Sequence, residues 1–137
     1  VVAIARADHP LAQHPQGASL QAIAEYPLIL REPGSGVRAL VARAFSVAGL
    51  APRVALELAG VESIKEAVRA GMGVGFVSAM SMRHEDAALA SVRIDPPHGL
   101  KRLLTALVPH ADALSRPTER FLAQCFARAA DEPATLR

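Results

Sequence analysis

Pro27-Leu28-Ile29-Leu30-Arg31-Glu32-Pro33-Gly34-Ser35-Gly36-Val37-Arg38 sets an apolar run directly before a glycine-bracketed serine and the start of a helical pattern. It reads as a buried strand, a tight turn and a helix N-terminus in succession. The first amides of a helix have no partner within it and carry partial positive charge, so they attract anions. Two readings of Gly34-Ser35-Gly36 fit the residues. In one, the Ser35 hydroxyl and the N–H groups of Gly36 and Val37 cradle an anionic ligand. In the other, Ser35 is a plain helix cap between turn glycines.

The pattern continues on both sides. Val37, Leu40, Val41, Ala44, Phe45 and Ala48 fall three or four apart, a helical stripe that Gly49 is placed to stop. Residues 53–58 alternate as a strand. Val61, Ile64, Ala67 and Val68 form a second stripe, with Glu62 near its positive end and Gly71 beyond its last turn. Residues 73–77 read as a buried strand, residues 79–88 as a helix and residues 89–94 as a strand. Upstream, residues 1–5 fit a short buried strand. His9 lies in a turn where Pro10 and Pro15 bar a helix, and Ser19 can cap a short helix through Ala24. After the break at Pro96-Pro97-His98-Gly99, residues 102–108 read as a strand. Ser115 then caps a long last helix, with Pro117 in its first turn and Phe121, Leu122, Cys125, Phe126 and Ala129 on its buried face. The alternation predicts an α/β architecture, a mostly parallel sheet flanked by helices, with right-handed crossovers and ligands at the carboxyl ends of strands. The strands at residues 1–5 and 102–108 stand apart from the block between them, the outline of a two-lobe binding protein.

Composition bounds the function. With 137 residues, 51% hydrophobic and 20% charged, the chain is long and apolar enough for one domain with a core. Fifteen basic against 13 acidic residues leave a net charge of +2, with no basic run, which argues against a nucleic-acid surface on this segment. A single cysteine, Cys125, excludes an internal disulfide and a cysteine-based zinc cluster, and reads as a buried, inert thiol. The five histidines lack the i, i+4 spacing of a metal pair, so no metal and no cofactor are expected. No Gly-x-Ser-x-Gly elbow or nucleophile–base–acid set is present, which predicts that the chain is not an enzyme. No apolar run reaches membrane-spanning length and no leader opens the chain, so a cytoplasmic protein is expected.

Three stretches together resemble the effector-binding domain of LysR-type transcriptional regulators. Residues 1–12, ending Asp8-His9-Pro10-Leu11-Ala12, are similar to its crossover strand. Leu28-Ile29-Leu30-Arg31-Glu32-Pro33-Gly34-Ser35-Gly36 is similar to the strand and turn of its second lobe. Glu62-Ser63-Ile64-Lys65-Glu66-Ala67-Val68-Arg69-Ala70-Gly71-Met72-Gly73-Val74-Gly75-Phe76-Val77-Ser78 is similar to its recurring helix–turn–strand. The resemblance implies a type 2 periplasmic-binding-protein-like fold of two lobes with a small-molecule effector in the cleft. Residues 13–94 would form a nearly complete second lobe. Residues 1–12 and 95–130 would supply the crossover strands and the C-terminal part of a partial first lobe, and residues 131–137 a tail. It also implies a homo-oligomer, and DNA contact only through an N-terminal helix-turn-helix domain absent from this chain. The family often carries threonine after Gly-Ser-Gly; here Val37 offers only its backbone N–H.

The resemblance favours the cradle reading of Gly34, Ser35, Gly36 and Val37 for a small organic anion. Phe76 and Ser78, at the carboxyl end of a strand, join it as candidates, as does Arg6 beside the crossover strand. Two alternatives stay open. One is a solute-binding protein fragment for transport. The other is a dinucleotide-binding oxidoreductase fragment, because Gly34-Ser35-Gly36-Val37-Arg38-Ala39 fits G-x-G-x-x-G/A and Glu57 follows where a ribose-binding acid lies. A half-lobe also predicts bare strand edges, and hence self-association.

Overall fold

A computed structural model describes residues 1–14, 16–95, 100–101, 105–108 and 114–131 of the chain. Its centre is a five-stranded sheet built from β1 (Val2–Arg6), β2 (Leu28–Arg31), β3 (Val54–Leu58), β4 (Val74–Val77) and β5 (Leu89–Val92), in the order β3-β2-β4-β1-β5. β2 pairs in parallel with β3 and β4, while β1 is antiparallel to both β4 and β5. Four strands therefore point one way and β1 alone the other. The expected mostly parallel sheet is in fact mixed.

β1 also corrects a placement. Residues 1–5 were expected to stand apart, yet β1 lies between β4 and β5, and Ala3, Ile4 and Ala5 are buried in the sheet. A strand hydrogen-bonded on both edges and covered on both faces belongs to the unit it completes.

Helices cover both faces. α2 (Gly36–Val47) lays Val37, Val41, Ala44 and Phe45 on one face, where Leu28, Leu30, Val74 and Phe76 meet them. α3 (Val61–Arg69) buries Ile64, Ala67 and Val68 on the other, against Ile4, Ile29 and Val77. The split follows from the pleat: alternate residues of β2 and β4 point to opposite sides. The short α1 (Leu20–Ala24) starts at Ser19, whose Oγ accepts from the Ala22 N–H at 3.1 Å, the expected cap. A 3₁₀ turn at Pro10–Gln13 follows β1, with His9 Nδ1 accepting from the Leu11 N–H and the His9 ring edge-on to Tyr26.

The helix expected over residues 79–88 is shortened to a 3₁₀ turn, Ala79–Met82. Two interactions end it, one local and one distant in sequence. Asp86 Oδ1 accepts from the Ala88 N–H at 2.9 Å, closing an aspartate turn in place of helical bonds. Glu85 is drawn into an ion cluster on α3, where Lys65 Nζ lies 2.7 Å from its Oε2 and Arg69 bonds its Oε1. Lys65 is buried and also meets Glu62 at 2.9 Å, so neither neighbour leaves its charge uncompensated.

The chain divides into two compact units, Val1–Leu103 and Leu104–Arg137. In the second, α4 (Arg116–Asp131) begins as expected at Ser115, whose Oγ accepts from the Thr118 N–H. Three residues of its apolar stripe are not buried as expected: Phe121 and Phe126 are 67% and 65% exposed, and Cys125 is exposed too. A stripe tells which face a helix would bury, not what covers it. Of the strand expected at residues 102–108, positions 102–104 lie outside the described residues, and 105–108 form no strand. Pro96-Pro97-His98-Gly99 and residues 132–137 also lie outside the described residues. Among the described residues, no helix is long and apolar enough to cross a membrane.

Candidate functional site

The carboxyl ends of β2, β3 and β4 lie at one end of the sheet, because the three strands are parallel. From β2 the chain crosses through α2 to β3 on one side. From β4 it leaves toward β5 on the other. Adjacent strands whose connections diverge leave a crevice between them, the place where open α/β sheets bind ligands. The loops bounding it carry Ser35 and Ser78.

The β2 loop is a turn that its sequence dictates. Pro33 and Gly34 are the central residues, Gly34 has φ +92°, and the Ser35 N–H donates to the Glu32 carbonyl at 3.2 Å. Proline followed by a glycine at positive φ is the type II β-turn pattern. The turn delivers the chain into α2 with Ser35 as its flanking residue. The Ser35 carbonyl accepts from the Ala39 N–H, but its hydroxyl makes no capping bond. Thus Ser35 does not use its side chain as a plain cap would. The N–H groups of Gly36 and Val37 open a helix of 12 residues and have no carbonyl within it to meet. Ser78 has the same character: it precedes the 3₁₀ turn, is half-buried, and its hydroxyl makes no capping bond. Since β2 and β4 are hydrogen-bonded neighbours, the two serines follow strand ends about 5 Å apart.

Gly34, Ser35, Gly36 and the Val37 N–H follow the carboxyl end of β2, and Ser78 follows that of the neighbouring β4. Val37, Phe76 and Arg6 lie elsewhere with their side chains. The Val37 side chain is 5% exposed and sits in the core beneath α2, which leaves its backbone N–H as the group it can offer, as expected. Phe76 is 2% exposed and packs edge-on against Phe45, ring centroids 6.3 Å apart. It supports the site from below and does not line it. Arg6 ends the antiparallel β1, level with the amino ends of β2 and β4. There it borders an open cavity of about 440 Å³ with His9, Tyr26 and Gly73, and binds Asp8 through both carboxylate oxygens at 3.0 and 2.6 Å. The direction of β1 puts Arg6 at the far end of the sheet from Ser35.

Around the turn, charges pair tightly. Arg31 Nε and Nη2 bond Glu32 Oε2 and Oε1, both at 2.7 Å. Arg38, in the first turn of α2, donates to the Arg31 carbonyl at 2.8 Å and to Glu57 Oε1 at 2.5 Å. Arg31 holds the Glu32 carboxyl down at about 2, helped by the N–H groups of Glu32 and Gly60. Arg38 lowers that of Glu57. Glu57, the acid that a dinucleotide ribose would need, is thus engaged by Arg38. Reasoning from the sequence missed Arg31 and Glu32, although Arg-Glu beside Pro-Gly marks a charged pair held at a turn. No group of three or more metal-binding side chains occurs among the described residues.

Residues 1–130 match the family model described as the LysR substrate binding domain. The chain is 34% identical over 135 residues to a RuBisCO operon transcriptional regulator of Acidithiobacillus ferrooxidans, covering 96% of this chain and 42% of that protein. It is 34% identical over 137 residues to the HTH-type transcriptional regulator CbbR of Xanthobacter flavus, covering 90% and 41%. Among solved structures, the regulatory domain of Synechocystis CcmR in complex with 2-PG superposes with a TM-score of 0.75 at 31% identity, covering 97% of this chain and 64% of that one. The chain thus spans about two fifths of the length of these curated relatives.

Proposed function

The chain belongs to the LysR substrate-binding domain family, and from that premise we propose that it senses a small anionic metabolite for a transcriptional regulator. Its five-stranded unit would be one lobe of two, with the effector at the carboxyl ends of β2 and β4. The observation that carries this reading is the pair of serine hydroxyls without capping bonds, Ser35 and Ser78, flanking the crevice beside the first amides of α2. Effector held there touches the mouth of the cleft, so closure of a facing lobe would be coupled to its binding. The ligand shifts the equilibrium by its difference in affinity for the open and closed arrangements. DNA would be reached through a domain outside this chain, in a homo-oligomer. The reading is of a sensor and not of a catalyst. The relative solved with 2-PG makes 2-phosphoglycolate the first probe to use.

Ser35→Ala tests this. A hydrogen bond to a charged group contributes about 1.5–3 kcal/mol, so calorimetric titration should show 2-phosphoglycolate binding weakened by about tenfold or more. The melting temperature should stay within about 2 °C, since a surface change that removes no cap costs little. Unchanged affinity would refute the cradle. A large drop in melting temperature would make Ser35 a structural cap after all.

A further inference from the structure

Arg38 closes the stretch of chain that carries the proposed cradle. It is the third residue of α2, directly after Val37. Its Nη1 donates to the Arg31 carbonyl at 2.8 Å, reaching back across the turn to the last residue of β2. Its Nη2 donates to Glu57 Oε1 at 2.5 Å, on the adjacent strand β3. One guanidinium thus joins α2, β2 and β3, and the loop it closes, from Arg31 to Arg38, contains Ser35, Gly36 and Val37.

We propose that Arg38, held by Glu57, is a positioning residue: it fixes the first turn of α2 so that the Ser35 hydroxyl and the Gly36 and Val37 amides are set for the effector's anionic group before the effector arrives. The proposal rests on the sensor reading above and adds the pair of residues that shapes its site.

α2 is held to the sheet by the apolar stripe of Val37, Val41, Ala44 and Phe45. Apolar contacts are non-directional, so they resist lifting of the helix more than rolling or sliding of its first turn. Hydrogen bonds are directional, and the Arg38 bridge supplies them where the stripe ends. A planar guanidinium suits the task, because its donors diverge in a fixed geometry toward two acceptors on different strands. Donors held in place lose no freedom when a ligand binds, whereas donors that must first be ordered cost affinity. Glu57 completes the device. It faces Leu30 in the β2–β3 ladder, one residue before Arg31, and a bare carboxylate there would repel an anion. Paired with Arg38 it forms a neutral unit that acts through geometry and not through its field. The two side chains are 25% and 43% exposed, and a surface pair of this kind contributes little to folding. Its removal therefore separates positioning from stability.

Arg38→Met combined with Glu57→Gln removes the pair as a unit and leaves the local net charge as it was. Calorimetric titration of the 137-residue chain with 2-phosphoglycolate should show binding weakened by about fivefold or more. The urea midpoint should stay within about 10% of wild type. The Ala39 N–H, which bonds the Ser35 carbonyl at 3.0 Å, should exchange with solvent about tenfold faster, a readout that needs no ligand. Glu57→Ala alone gives the two possible causes opposite signs. Loss of the anchor weakens binding, whereas loss of a negative charge by itself would tighten it. Arg6→Met combined with Asp8→Asn removes a pair of the same type at the far end of the sheet and should change affinity by less than about twofold. Wild-type affinity in the Arg38/Glu57 variant, or unchanged exchange at Ala39, would make this an ordinary surface ion pair and overturn the proposal. So would tighter binding in Glu57→Ala, an equal loss in the Arg6/Asp8 variant, or a large fall in the urea midpoint. If Ser35→Ala weakens binding but the Arg38/Glu57 variant does not, the sensor reading stands and the positioning role falls. If the wild type does not bind 2-phosphoglycolate, both fall.

Discussion

Gly73→Ala is expected to unfold the five-stranded unit under conditions where the wild type is folded. A Cβ on Gly73 would lie 2.3 Å from the Pro27 carbonyl oxygen and 3.0 Å from its carbon, both backbone atoms. The same Pro27 oxygen accepts from the Val74 N–H at 2.9 Å, the bond that sets β2 and β4 in register. The clash cannot be relieved by turning a side chain; the two strands must part. The residue also has φ +151°, in the region that favours glycine. Backbone strain of about 1–3 kcal/mol and steric cost of about 1–3 kcal/mol act together. They fall on a domain whose total stability is about 5–15 kcal/mol. Urea unfolding followed by circular dichroism reads the effect. Gly71→Ala is the control: φ is +75°, but the nearest atoms are Arg6 side-chain atoms 3.7 and 3.8 Å away. It should lose only about 1 kcal/mol, the cost of an unfavourable φ alone. Equal losses at both positions would mean that strain, not the close approach of β2 and β4, governs Gly73.

Phe76→Ala should cost about 3–5 kcal/mol and leave the site's chemistry in place. The ring is 2% exposed, packed among Val41, Phe45 and Val74, and stands edge-on to Phe45 at 88°. Removing it leaves a void that α2 and the sheet cannot both close. The edge-on pair adds about 0.5–1.5 kcal/mol beyond burial. The expected result is a lower urea midpoint, with 2-phosphoglycolate affinity of the remaining folded protein within about twofold of wild type. A variant that kept its stability and lost its ligand would restore Phe76 to the pocket wall.

These two residues show where the sequence was legible. Helical stripes at three-and-four spacing placed α2 and α3 to within a residue or two, and the Pro-Gly turn after β2 was readable because so few backbone shapes suit that pair. Phe76 was misjudged because β4 is buried on both faces. A run of four apolar residues carries no alternation to say which side chain points down. Arg6 was misjudged because spacing does not reveal strand direction; only the antiparallel pairing of β1 puts it at the opposite end from Ser35. The helix expected after Ser78 gave way to contacts distant in sequence, between Glu85 and the cations of α3. Arg31 and Glu32 escaped notice because adjacent opposite charges beside a turn look like solvated surface until they are seen to form a bidentate pair. The stripe on α4 was correct as a pattern, but its burial needs a covering surface that no stripe specifies.

The most direct measurement is amide chemical-shift mapping of the ¹⁵N-labelled chain during titration with 2-phosphoglycolate. The expected result is saturable shifts concentrated at Gly34, Ser35, Gly36, Val37 and Ser78, with Arg6, His9 and Gly71 at the far end of the sheet undisturbed. Shifts confined to the Arg6, His9 and Tyr26 end would contradict the account. They would place the ligand at the amino ends of β2 and β4 instead.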